Sequence, residues 1–362
     1  MKHADLLIFS LVILLNSCSK FIIDNDDASG ESLGNLIEWS VSAVENTVSP
    51  GTRALIDEYN DLQEACTSYE VHEAEKIGLL GKAVSEGSTE NVFDNVDLWW
   101  WEKPKGNPFQ DQTDSFIHWN YEGEDRYWKD NADYVFKAYF PKSKVILQPE
   151  SNADELLTVY DTQQAQFDLM VAHKAMRSQS ENPVKLEMRH ALAALKFDFR
   201  FVEGGVTDNL ICCWIENTGS DGFYTSSTLN FTSDIVWPRS SQDAIGVPLY
   251  YWEPSSPLRI TSSNAVSAYS TSAAEDKGRL YTDNSGWLLI IPQISSSGHV
   301  DLCFKTSTGG NTVYRITLPS YDYQAGNRYN YHIKMTSTGI ELALTIADWN
   351  ERKSSYEIDF ND

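Results

Sequence analysis

The sequence predicts an all-β protein built as two antiparallel β-sandwich domains in tandem. Three observations lead there. Apolar and polar residues alternate with a period of two through most of the chain, the spacing that turns one strand face to a core and the other to water. Turn-forming residues separate these runs at hairpin distances. Only one stretch carries the three- and four-residue spacing of a helix. Strands half in water belong to antiparallel sheets; parallel sheets of α/β proteins read as continuous apolar runs.

The first element stands apart from the fold. Residues 6–15 are a charge-free apolar run, well short of the roughly 20 residues a helix needs to cross a bilayer and of a length that suits a secretory signal. Ser17 precedes Cys18, as in a bacterial lipobox, where the cysteine is diacylated and becomes the new N-terminus. The expectation is a lipoprotein signal peptide at 1–17 and a mature chain anchored to the outer membrane through Cys18 and exported to the cell surface. An ordinary cleaved signal with an incidental cysteine is the alternative.

Residues 18–53 form a leader, polar at 24–30, with Ile37, Trp39, Val41 and Ala43 in alternation, so that 36–44 is a strand candidate. Pro50-Gly51 is a turn signal just before Thr52-Arg53-Ala54, which places the Arg53–Ala54 bond in an exposed loop. Leu55, Tyr59, Leu62, Cys66 and Tyr69 then recur at helical spacing, and 76–80 reads as a strand.

Period two takes over from there. Tyr134, Phe136, Ala138 and Phe140 alternate with Val135, Lys137 and Tyr139; Phe167, Leu169 and Val171 alternate with Asp168 and Met170. Leu195, Phe197, Phe199 and Phe201 oppose Lys196, Asp198 and Arg200. Tyr329, Tyr331, Ile333 and Met335 lead across 336–339 into Ile340, Leu342, Leu344 and Ile346, a hairpin, and Gly309-Gly310-Asn311 turns a second one between 300–305 and 312–318. The polar stretch 178–183, ending in Asn182-Pro183, divides the exported chain into domains at 54–180 and 181–362. The small polar stretches 218–227 and 261–274 read as surface loops.

Composition narrows the function. Acidic residues number 52 against 28 basic ones, a formal net charge of −24 with no basic stripe. That disfavours nucleic acid as a partner and charge-driven attachment to anionic lipid, and it suits a soluble surface protein. Aromatic residues at 12% supply large core side chains. Four cysteines follow Cys18, namely Cys66, Cys212, Cys213 and Cys303, which permit three pairings. A bond between the adjacent Cys212 and Cys213 fits disulfide geometry poorly, and buried free thiols are the simpler reading.

No constellation calls for catalysis, a cofactor or a metal. His72-Glu73 opens like a zincin helix but lacks the second histidine, and the acidic run 24–27 lacks the glycine and terminal glutamate of a calcium loop. His190 lies among strand and core residues and reads as structural. The sequence lacks a G-x-S-x-G elbow, a G-x-G-x-x-G and a P-loop. The enzyme class is therefore set aside. Trp99-Trp100-Trp101 is the remaining feature: in a strand, three consecutive side chains cannot all face the core. One reading is an aromatic surface for a glycan; the other is a domain or subunit contact, where tryptophan is enriched.

Several segments together resemble the fimbrillin family of lipoprotein pilins of Gram-negative anaerobes. They are Arg126-Tyr127-Trp128 with 134–141, Asp168-Leu169-Met170-Val171-Ala172, 184–188, 190–197, Leu289-Ile290-Ile291-Pro292-Gln293, 325–331 and Ile346-Ala347-Asp348-Trp349. Their order spans nearly the whole exported chain. The resemblance implies two transthyretin-like sandwiches and assembly with other fimbrial subunits in a pilus that supports adhesion. It further implies that an arginine-specific surface protease cuts the leader, with Arg53 and Ala54 matching the processing position. Loss of 36–44 would then uncover a groove for a strand from another subunit. The donor candidate is the C-terminal arm 351–362, where Tyr356, Ile358 and Phe360 alternate with Glu357 and Asp359; the competing reading makes it the last strand of its own domain. The runner-up function is a surface-anchored glycan-binding lipoprotein that does not polymerise, with Trp99, Trp100 and Trp101 as its contact.

Overall fold

The computed structural model describes residues 36–43, 59–68, 75–101, 118–145, 147, 156–163, 166–204, 206–231, 234–239, 243–271, 286–336, 339–349 and 356–359. The chain enters with β1 (Trp39–Ala43), α1 (Tyr59–Cys66) and the short β2 (Thr67–Ser68). Leu62 and Cys66, one turn apart on α1, are both fully buried, as the helical spacing predicts. A long hairpin joins β3 (Ile77–Ser85) to β4 (Ser88–Trp101). Ser85 pairs with Ser88, leaving Glu86-Gly87 as the turn with φ of 50° and 79°; two positive φ values match the twist of the strands, and glycine takes one without strain. Next come β5 (His118–Tyr121), β6 (Asp133–Phe140), β7 (Leu156–Asp161), β8 (Met170–Arg177) and β9 (Val184–His190).

The later half runs through β10 (Ala193–Phe201), β11 (Asp208–Asn217), β12 (Ser226–Phe231), β13 (Ile235–Val236), β14 (Pro248–Trp252), β15 (Leu258–Ile260) and β16 (Val266–Ser267). It continues with β17 (Leu288–Ile290), β18 (Gln293–Ser295), β19 (Val300–Thr306), β20 (Tyr314–Thr317), β21 (Tyr321–Tyr323), β22 (Asn327–Met335), β23 (Ile340–Asp348) and β24 (Tyr356–Asp359). The protein is all-β, with α1 and one 3-10 turn at Lys142–Lys144 as the helical elements among the described residues. Both expected hairpins are present: β22 pairs with β23 from Met335↔Ile340, and β19 with β20 from Phe304↔Tyr314.

One eight-stranded sheet has the order β1-β9-β8-β6-β3-β4-β2, with β5 on β4. It backs a core that includes Ile37, Trp39, Val41, Leu79, Phe93, Phe136 and Leu186. A six-stranded sheet, β16-β10-β22-β23-β24 with β17 on β10, shares a second core with the five-stranded β14-β11-β19-β20 and its β15. Phe199 of β10 meets Phe304 of β19 edge-on at 4.9 Å, so side chains of these two sheets share one core, a sandwich.

Each half reaches across residue 180. On the far side of it, β9 pairs with β8 and gives Val184, Leu186 and Met188 to the first core. On the near side, β7 pairs with β12 along six residues. The Gln166 amide acts as a strand in miniature: Nε2 donates to Leu289 O at 2.9 Å and Oε1 accepts from Leu289 N at 2.7 Å. A third apolar cluster joins Tyr139, Leu169 and Val171 to Leu192, Leu289 and Trp349. That cluster explains why the alternation of β6 fails at its end. Lys137 and Tyr139, on the face expected in water, are buried because the sheet is covered on both sides there.

The two expected surface loops are corrected in part. In 218–227, Phe223, Tyr224 and Thr225 are buried. The Asn217 side chain holds the segment inward, its Nδ2 donating to Phe223 O at 2.8 Å and its Oδ1 accepting from Phe223 N at 2.7 Å. In 261–274, Ala268 and Tyr269 are fully buried, tied down by β16 on β10 and by the Tyr269 hydroxyl donating to Tyr250 O at 2.9 Å.

Candidate strand-exchange site

The strand β1 forms one edge of the eight-stranded sheet. It runs parallel to β9, from Trp39↔Val184 to Ala43↔Met188, while most neighbours in the sheet are antiparallel. Its alternation sends Ile37, Trp39 and Val41 into the core, each at most 6% exposed. Burial of each contributes about 1.5–3 kcal/mol to holding the strand. The Trp39 ring meets Phe93 at 5.2 Å and Phe136 at 5.0 Å, both edge-on.

The backbone of β1 is clamped at its entrance. Ile37 N donates to Arg126 O at 2.9 Å, and Val184 N to Glu38 O at 2.8 Å. Asn182 stands in for a strand neighbour: Glu38 N donates to its Oδ1 at 3.0 Å and its Nδ2 donates to Leu36 O at 3.0 Å. Arg126 is itself fixed, its N–H donating to the Tyr121 hydroxyl at 2.8 Å and its Nε to Val92 O at 3.1 Å. Burial pushes the Tyr121 phenol up from its ordinary value, so this oxygen stays protonated. In the sequence Asn182 reads only as half of a turn pair. Its clamp role has no local signal, because both backbone partners lie about 145 residues upstream.

Other expected site residues fall in different places. Cys18, Arg53, Ala54 and Phe360 lie outside the described residues. Tyr356 and Ile358 lie in β24, which pairs with β23 of the same chain, Ile346↔Tyr356 and Leu344↔Ile358, at the edge of the six-stranded sheet. Trp100 is buried against Trp119, the rings 5.6 Å apart. Trp99 is half-buried, with the Lys76 ammonium 5.4 Å from its ring centroid. Burial lowers the Lys76 pKa despite the nearby Asp97 and Glu75 carboxylates. The Trp101 side chain is outside the described residues.

His190 is enclosed at the joint between the two cores. Its Nδ1 lies 2.9 Å from Asp168 Oδ1, and its ring stacks on Trp349 at 4.2 Å and 8°. Cys66, Cys212, Cys213 and Cys303 are free and buried. Burial pushes all four thiols up, Cys303 to about 12, and a protonated thiol is a poor nucleophile or ligand.

Residues 65–349 match the fimbrillin-like family. The chain belongs to that family. This fimbrillin-like chain finds no match among curated proteins. Among solved structures it is similar to a fimbrial protein from Bacteroides vulgatus, with 14% identity, a TM-score of 0.53, and coverage of 90% of this chain and 99% of that one. At such low identity the likeness speaks to fold: the two share an arrangement of strands. Weaker likenesses include a protein described as a cell adhesion protein from Bacteroides ovatus, at 14% identity and TM-score 0.48, covering 87% of this chain and 98% of that one. Another is the tip fimbrial protein Mfa3 from Porphyromonas gingivalis, at 14% identity and TM-score 0.35, covering 76% of this chain and 95% of that one.

Proposed function

We propose that this fimbrillin-like protein is a surface fimbrial subunit or adhesin, exported as a lipoprotein through Cys18 and assembled by strand exchange after cleavage between Arg53 and Ala54. The observation that carries the reading is β1. It is an edge strand, it and the residues just before it bury Ile37, Trp39 and Val41 in the first core, and it lies upstream of Arg53. A cut there severs β1 from the rest of the domain, so β1 stays only by non-covalent contact. Its departure leaves the β9 edge and the pockets of Ile37, Trp39 and Val41 for an extended segment of another subunit. Backbone hydrogen bonds then give affinity and alternating side chains give register. The C-terminal strand around Tyr356, Ile358 and Phe360 is the donor proposed, released from its edge position on β23.

The test is intact mass, N-terminal sequencing and size distribution of protein recovered from the cell surface, for the native chain and for Arg53→Ala. The expected result is a native chain that starts at Ala54 and forms ladders, and a variant that keeps its leader and remains monomeric. Ladders from the uncut variant would overturn the cleavage step. A native chain that stays lipidated at Cys18 and monomeric would overturn polymerisation.

A further inference from the structure

Tryptophans among the described residues divide by what their indole N–H groups find. In the later half three are paired: Trp252 Nε1 donates to Thr271 O at 3.0 Å, Trp237 Nε1 to Ala191 O at 2.7 Å, and Trp214 Nε1 to Glu216 Oε2 at 3.3 Å, while Trp349 Nε1 is buried without an acceptor. In the first core Trp39, Trp100, Trp119 and Trp128 are all more than nine-tenths buried, and none of their N–H groups has an acceptor. A buried donor without a partner loses its hydration and regains nothing. The Phe93 and Phe136 rings, each set edge to face with Trp39, offer an N–H at most the weak acceptor of an aromatic face.

Three of these indoles sit in or beside strands that stay with the domain. Trp39 is different, because it opens β1 and lies between the inward-facing Ile37 and Val41. We infer that Trp39 makes β1 an imperfect occupant of its own groove: its ring fills the pocket, and its unpaired N–H weakens the hold. This rests on the strand-exchange reading and adds to it the residue that sets how readily the leader gives way. The Phe93 and Phe136 pocket supplies no acceptor, so it fits an aromatic or branched apolar side chain better than an indole. An incoming strand with such a side chain at this position keeps the apolar contact and brings no unpaired donor. Exchange is then downhill without any change elsewhere in the domain.

The experiment replaces one atom group. β-(3-Benzothienyl)alanine, which keeps the bicyclic shape and puts sulfur where the N–H was, is introduced at position 39 of the full chain and, separately, at position 252. At 39 the intact chain is expected to gain stability, its unfolding equilibrium constant falling about 5- to 30-fold. After cleavage at Arg53 the leader fragment should leave more slowly by a similar factor. At 252 the same replacement breaks the bond to Thr271 O and should destabilise. A neutral or destabilising result at 39 would overturn the inference, as would a modified leader that leaves as fast as the native one. If the cut leader never exchanges in the native protein while the 39 replacement still stabilises the intact chain, the exchange reading fails and the role of the N–H stands.

Discussion

Asn182 offers the sharpest lever on β1. Asn182→Ala removes two hydrogen bonds that join the entrance of β1 to the sheet, one from Glu38 N and one to Leu36 O, both 3.0 Å long. Each lies at an exposed position, where water can replace the lost partner, so each is worth the low end of the usual range, about 0.5–1 kcal/mol. The pair should cost about 1–2 kcal/mol, and this loss should appear as local opening of β1 rather than of the whole molecule. In hydrogen exchange, amides of β1 should lose about 5- to 30-fold in protection, while those of β10 and β22 stay unchanged. Asn182→Asp keeps the acceptor for Glu38 N and sets a carboxylate against Leu36 O, so it should open β1 at least as much as loss of the one donor bond. Unchanged protection of β1 in Asn182→Ala would refute the argument that this side chain clamps the leader. A uniform loss across both cores would refute the claim that β1 opens on its own.

Gly78→Ala should destabilise by about 1–3 kcal/mol through overpacking, because a Cβ there would lie 2.3 Å from Tyr139 Cζ, and that ring is held by its hydroxyl donating to Asn95 at 2.6 Å; denaturant unfolding should show the cost shrinking in a Tyr139→Leu background. Gln166→Ala should cost about 2–4 kcal/mol, since both the N–H and the C=O of Leu289 lose their partner at once, and a shift in urea midpoint measures it. For Asp208, burial works to raise the carboxyl, but hydrogen bonds from the side chains of Thr306, Thr308 and Ser307 and from Thr308 N–H outweigh it and hold the pKa at about 2. A depressed carboxyl stabilises above its unfolded pKa of about 4. The advantage of the native chain over Asp208→Asn should therefore be full at neutral pH and vanish as pH falls from about 4 through 2 in thermal melts.

Much of this fold was legible because it rests on local rules. Leu62 and Cys66 announce a helix face, Gly309-Gly310 a turn, and the pairs from Met335↔Ile340 onward a hairpin whose two strands alternate in step. The same alternation identified β1, since Ile37, Trp39 and Val41 all point inward. What escaped depends on partners that the alternation does not record. Tyr139 is buried in a cluster that draws on Leu289 and Trp349. Phe223 sits inside because Asn217 pulls its backbone in. The place of β9 with the first sheet rather than the later one follows from its pairing with β8 and β1. The first and last need partners more than ten residues away, and the second needs a side chain six residues back to turn onto the backbone, which no alternation records.

The separation of β1 from its partner also sets an order of events in time. Asn182 lies 144 residues after Glu38 and 146 after Leu36, and a chain is made from its N-terminus. Until then β1 lacks the β9 edge, and its entrance has only the Arg126 carbonyl to join. Closing so long a loop carries an entropic cost that shorter hairpins such as β3–β4 escape. β1 is therefore expected to dock late, onto a sheet that has already formed, so the piece that leaves first in the proposed assembly would also be among the last to arrive.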